Sequence, residues 1–203
     1  MTSAAILGSP RFAAPQRDEE ARALFDIIHR LSFGRGDVTL SSGRKSNFYF
    51  DMKPSMFDPQ GAHLMAKGLL AEVLAAGGEY VGGLEMGAVP ITGAICQLSH
   101  TAGTPVSGFF VRKKAKEHGA RKLIEGLKAN ETLRGKRLVI VEDVTTSGAS
   151  ALVAIEACRQ EGADVRLVVS VVDRCEGAAQ AFADQGIPFK SLFVATDFLN
   201  RAD

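Results

Sequence analysis

Several features that would mark a specialised class of protein are missing from this 203-residue sequence. No apolar stretch approaches the roughly 18 residues needed to cross a bilayer as a helix, so no membrane association is expected. No charge of one sign dominates: 24 Lys and Arg face 23 Asp and Glu, for a net charge of +1. That balance lacks the broad positive field of a nucleic-acid binder, although a local basic patch remains open. Cysteine is scarce and odd in number. Cys96, Cys158 and Cys175 lie far apart in apolar or helical context, which fits reduced packing residues of a cytoplasmic protein better than a disulfide framework. No internal repeat or low-complexity block is evident. Residues 1–17 are rich in Ala, Ser and Pro and carry no acid. They lack the long apolar segment of a secretory signal and read as a flexible tail.

What is present is 46% hydrophobic residues arranged in alternating strand and helix periods, enough for one elaborated α/β domain. Apolar positions 21, 24, 25, 28 and 31 predict an amphipathic helix over Asp18–Leu31. Asp37–Asp51 reads as extended, with a turn at Ser42-Gly43. Asp58-Pro59 starts a helix that Gly77-Gly78 stops. Strands are predicted over 80–84, 104–111, 138–141, 165–172 and 189–194. Helices are predicted over 89–98, from 151 to near Gly162, and over 177–185. Thr196-Asp197 caps a short last helix. The predicted fold is α/β, a doubly wound and mainly parallel sheet with a small N-terminal α+β hood. Its parts are the 1–17 tail, an 18–58 hood segment, a 59–176 α/β core, and 177–203 completing core and hood. In such a sheet ligands bind outside the carboxyl ends of the strands.

The chain is organised around Arg137–Ser150. Leu138–Val141 are apolar and three of the four are β-branched, as in a strand buried on both faces. Glu142 and Asp143 follow, then the hydroxyl-rich Val144-Thr145-Thr146-Ser147-Gly148-Ala149-Ser150, then an apolar helix from Ala151. A polar loop leading into a helix N-terminus is an anion site, because the first helical amides have no internal partner. The two acids repel phosphate and suit sugar hydroxyls or a divalent cation. Together they suggest a phosphorylated ribose. The competing account is a solvated strand end with Thr146 or Ser150 as an N-cap. The spacing matches neither a Walker loop nor a dinucleotide fingerprint. A second signal is the basic stretch Arg112–Leu123, which holds Arg112, Lys113, Lys116 and His118. It reads as a mobile exposed loop able to neutralise a departing pyrophosphate and to exclude water.

The strand–acid–hydroxyl segment resembles the signature of type I phosphoribosyltransferases, which bind phosphoribosyl pyrophosphate (PRPP). Arg112-Lys113-Lys114-Ala115-Lys116-Glu117-His118-Gly119 resembles the more specific catalytic loop of orotate phosphoribosyltransferases. Leu40–Asp51 is similar to that family's N-terminal segment, and Asp173-Arg174 to its carboxylate-receiving arginine. The resemblance covers roughly residues 20–200. It implies PRPP contacts by Met86, Gly87, Arg112, Lys113, Lys116, His118 and Glu142 through Ser150. Lys116, His118 and Asp143 would be catalytic, and Tyr49, Phe50, Thr146 and Arg174 would contact orotate. It further implies Mg²⁺ held mainly through PRPP, with Glu142 and Asp143 as the protein oxygens in reach, and a homodimer whose 112–119 loop acts in trans. Two family lysines are absent, one at Ser41 and one in the Glu85-Met86-Gly87-Ala88 loop, leaving the Met86 and Gly87 amides to stand in. A purine phosphoribosyltransferase and a non-catalytic PRPP-sensing regulator are the alternatives.

Overall fold

The computed structural model of the chain describes residues 15–39, 45–114 and 123–201. Helix α1 (Pro15–Leu31) buries Leu24, Ile27 and Ile28, the spacing of an amphipathic face. It begins three residues before Asp18, within the segment read as tail. Proline fits there because its missing N–H would lack an intrahelical partner anyway. An antiparallel ribbon follows, β1 (Phe33–Thr39) with β2 (Lys45–Phe50). The turn expected at Ser42-Gly43 lies outside the described residues. Along β2, Ser46, Phe48 and Phe50 face inward and Lys45, Asn47 and Tyr49 outward, the period of two of a strand. The short α2 (Lys53–Met56) leads to α3 (Pro59–Ala75). There the Gly61 N–H donates to Asp58 Oδ1 at 2.8 Å, the expected cap.

The remaining elements are β3 (Tyr80–Gly82), α4 (Ala88–Thr101), β4 (Ser107–Gly108), β5 (Phe110–Val111), β6 (Ile124–Glu125), β7 (Arg137–Thr145), α5 (Ala149–Gln160), β8 (Asp164–Asp173), α6 (Ala178–Asp184), β9 (Phe189–Val194) and α7 (Ala195–Leu199). Five strands form one sheet in the order β4-β3-β7-β8-β9, and every neighbouring pair is parallel. Leu138, Val139, Ile140 and Val141 are all buried. Val139 and Val141 pack with α1, α3 and α4, while Leu138 and Ile140 pack with α5 and α6. Helices on both faces explain why this strand reads as an unbroken apolar run. From β3 the chain crosses to β4 at the edge, then returns to β7 on β3's other side. The strand order therefore reverses between β3 and β7, which places a ligand crevice at their carboxyl ends.

Three local expectations change. The strand read over 104–111 is two: β4 joins the sheet, whereas β5 leaves it to pair antiparallel with β6. Strands of two residues are too short to show a period in sequence. Helix α7 starts at Ala195, not behind a Thr196-Asp197 cap. Its third residue, Asp197, reaches back to accept the Val194 N–H at 3.0 Å. Cys158 is buried and Cys96 partly so, but Cys175 is exposed in the turn after β8 and is no packing residue. None of the three forms a disulfide among the described residues. Phe25, Phe33, Phe50, Phe193 and Phe198 pack ring against ring, mostly edge-on or tilted, fastening the ribbon and α1 to β9 and α7. No helix among the described residues is long and apolar enough to cross a membrane.

Candidate active site

Strand β7 does not stop at Val141. It continues to Thr145, so Glu142 and Asp143 are strand residues, not loop residues. The sheet buries Glu142 to 6% exposure opposite Ser170. Its Oε1 has no hydrogen-bond partner among the described residues. Burial, and then the charge of adjacent Asp143, push the Glu142 carboxyl up to about 8, with Lys113 opposing. Burial raises Asp143 as well, and the Val144 N–H that donates to its Oδ1 at 2.8 Å works against that rise.

Beyond β7 the loop turns at Gly148, which sits at the N-cap of α5 with φ +82°. A β-carbon there would lie 2.8 Å from the Phe182 ring, so glycine is required by both conformation and contact. No side chain caps α5. Neither Thr146 nor Ser150 plays the capping role of the competing account, and the first amides of the helix stay open to an anion. Thr145 Oγ1 is buried and also lacks a partner among the described residues.

These groups line a cavity of about 440 Å³. Tyr49 and Phe50 contribute from the ribbon, Glu142 and Val144 through Ser150 from β7 and its loop, and Arg174 from the end of β8. The acid strand and Arg174 therefore share one cleft, which the sequence reading requires. The two aromatics differ in posture. Tyr49 is 41% exposed, whereas the Phe50 ring packs against Phe33 and Phe198 at centroid distances of 5.2 and 5.1 Å.

Across the crevice, the Glu85–Met86 peptide is cis and Gly87 approaches β7. A β-carbon on Gly87 would sit 2.5 Å from Asp143 Oδ1. Glu85 Oε1 accepts the Lys113 N–H at 2.8 Å, tying this loop to the end of β5. Arg112 turns toward the β5–β6 ribbon, its Nη1 3.6 Å from Glu125 and its Nε donating to the Lys114 carbonyl. Lys113 is exposed. Lys116 and His118 lie outside the described residues.

Arg174 is more enclosed than its place in the sequence suggests, with a side chain 3% exposed. Its Nε donates to Glu176 Oε1 at 2.7 Å and its Nη2 to Ser46 Oγ at 3.1 Å. The guanidinium carbon stands 4.2 Å over the Phe48 ring. The pair with Glu176 is a part-buried salt bridge, and Asp173 accepts the Cys175 N–H. Ser46 and Phe48 were findable, since a period of two puts them on one face of β2. Lys53 was not: its Nζ donates to Asp51 Oδ1 at 2.5 Å, and the charge of Asp143 adds to the upward shift of its ammonium. Chain direction alone does not reveal that neighbourhood.

Chemically, the cleft offers open amides and hydroxyls for a phosphate, the Glu142 carboxyl for a sugar hydroxyl, and a cation at one end. Among the described residues no group of three or more His, Cys, Asp or Glu could hold a metal ion. The orphan Glu142 oxygen beside Asp143 is a hard-oxygen pair that fits a divalent cation only where the ligand supplies the remaining oxygens.

Known proteins extend this picture. No family model matches the sequence. The orotate phosphoribosyltransferase of Bradyrhizobium sp. (strain BTAi1) is 58% identical over 176 residues, covering 87% of this chain and 95% of that protein. That of Rhodopseudomonas palustris (strain BisB5) is 57% identical over 178 residues, 88% and 95% of the two chains. The crystal structure of Mycobacterium tuberculosis orotate phosphoribosyltransferase in complex with Fe(III) dicitrate superposes with a TM-score of 0.76. It is 36% identical and covers 88% of this chain and 98% of that one. A second structure of the mycobacterial enzyme, at 34% identity and a TM-score of 0.72, is a complex with 5-phospho-α-D-ribosyl 1-diphosphate. Identity of this degree along nearly the full length of both partners, over a sheet whose switch point carries the acid–hydroxyl strand, places the chain in the orotate phosphoribosyltransferase family.

Proposed function

We propose that the protein transfers the 5-phosphoribosyl group of PRPP to orotate, giving orotidine 5′-monophosphate and pyrophosphate in the de novo route to pyrimidine nucleotides. The observation that carries this reading is the shared cleft, in which Arg174 faces the same 440 Å³ space as Glu142 and the Thr146–Ser150 loop. The open amides of α5, with Thr145, Thr146, Ser147 and Ser150, would take the 5-phosphate. Glu142 and Asp143 would hold the ribose hydroxyls. Arg174 would receive the orotate carboxylate, since a guanidinium matches a carboxylate with two parallel N–H groups. Tyr49, Phe50 and Thr146 would flank the pyrimidine ring.

Breaking the C1–oxygen bond leaves charge on a sugar cation and on departing pyrophosphate. The chain's part is to orient the two reactants and stabilise that charge. Arg112, Lys113, Lys116 and His118 would meet the pyrophosphate, and the Met86 and Gly87 amides would line its path. Mg²⁺ would be held mainly by PRPP oxygens and water with Glu142 or Asp143 in reach, and it supplies charge neutralisation on the diphosphate. The family resemblance supports a homodimer in which the 112–119 loop serves the neighbouring site, and cysteines outside any disulfide among the described residues fit a cytoplasmic setting. The test is a spectrophotometric assay with PRPP and Mg²⁺. Orotate should be consumed while hypoxanthine and adenine are not. Consumption of a purine instead, or of no base, would reject the assignment.

A further inference from the structure

Arg174 has five N–H donors, and the structure shows which of them a ligand can use. Nε is taken by Glu176 and one Nη2 proton by Ser46, at 2.7 and 3.1 Å. The Ser46 hydroxyl cannot turn away, because its own proton is donated to the Phe48 carbonyl at 2.8 Å. Its oxygen is left to accept. The Phe48 ring centroid lies 4.2 Å from the guanidinium carbon. Glu176 and Ser46 line a neighbouring cavity of about 580 Å³, whereas Arg174 lines the 440 Å³ cavity that holds the acid strand. The guanidinium is thus held along one edge and underneath, from outside the site. Its end-on edge, Nη1 with the second Nη2 proton, makes no hydrogen bond among the described residues. That edge has the two parallel donors that a carboxylate needs.

We infer that Glu176, backed by Ser46 and Phe48, is a positioning residue for orotate. It fixes the Arg174 plane so that only the end-on edge meets the substrate carboxylate, and thereby sets the preference for a carboxylated pyrimidine. The physical reason is entropic. A free arginine samples many rotamers, and pinning it in advance removes the ordering cost from the binding step. A neutral pyrimidine gains nothing from the pinned edge. Glu176 itself need not touch the substrate. The inference rests on the proposed role of Arg174.

The test compares Arg174→Ala, Glu176→Ala, Glu176→Gln and Ser46→Ala as full-length proteins, measuring KM for orotate and for PRPP separately. Glu176→Ala should raise KM for orotate about tenfold, leaving KM for PRPP within about twofold of wild type, as expected for one lost orienting contact. Glu176→Gln keeps an acceptor and should recover most of that loss. Ser46→Ala should shift orotate in the same direction by a smaller factor. The preference for orotate over uracil as a competing ligand should shrink in step with these changes. If Arg174→Ala raises KM for orotate and Glu176→Ala does not, the positioning role is overturned while the clamp stands. If Arg174→Ala leaves orotate untouched, the clamp itself is wrong. Equal rises for orotate and PRPP in Glu176→Ala, with no rescue by glutamine, would mean a general structural defect and would also overturn the inference.

Discussion

A carboxyl group buried like that of Glu142 makes stability depend on pH in a definite direction. Its ordinary value is 4.5, and the fold raises it to about 8. Between those values the folded chain binds the proton more tightly than the unfolded chain does, so stability falls as pH rises through that window. Below the ordinary value the penalty is absent, and above pH 8 it is complete. Glu142→Gln removes it. The variant should melt close to the wild type at pH 4.5 and above it at pH 9, by an amount worth about 2–5 kcal/mol. Thermal melts of the ligand-free proteins at the two pH values check this. An identical gap at both would show that Glu142 is not the responsible group. The same residue marks a limit of reading chemistry from sequence. The acid pair was legible as a pair, but adjacent letters do not reveal that β7 carries both acids within the sheet, where desolvation governs their charge.

Among the elements, the turn into α5 depends most on a single residue. Gly148 combines a left-handed backbone with a Phe182 ring close above it. Gly148→Ala should cost about 2 kcal/mol, from unfavourable backbone and overpacking together. That corresponds to a fall in Tm of roughly 4–8 °C for a chain of this length. KM for PRPP should rise as the open amides shift, while KM for orotate changes less. Calorimetry with two-substrate kinetics would detect a variant that melts normally and binds PRPP normally, and either result would remove the glycine requirement. Elements with a long period were readable, such as the apolar stripe of α1 and the buried run of β7. The β5–β6 ribbon was not, because two-residue strands exist through pairing with each other and carry no period of their own.

For the whole molecule, the doubly wound order was legible because strands and helices alternate at regular spacing, and the switch point follows from that order. How one copy meets another is not encoded in such patterns. The proposed trans action of the loop therefore needs its own test. Mixing Lys116→Ala subunits with Asp143→Asn subunits should restore activity if each loop serves the other copy's site. A random mixture of dimers then has about a quarter of the wild-type number of intact sites. Complete inactivity of the mixture, with dimers present by light scattering, would show that the loop serves its own site.

The small ribbon that departs from the sheet bears on this question. The Arg112 N–H donates to the Leu123 carbonyl at 2.9 Å, and Phe110–Val111 ladders with Ile124–Glu125. Both ends of the basic segment are thus moored side by side. Half of that ten-residue span, fully stretched, carries the backbone about 17 Å at most, and a side chain reaches farther by its own length. Any neighbouring cavity served by Lys116 or His118 must open within that backbone reach plus one side-chain length of the mooring. Docked arrangements of two copies that set the cavities farther away are geometrically unable to share the chemistry.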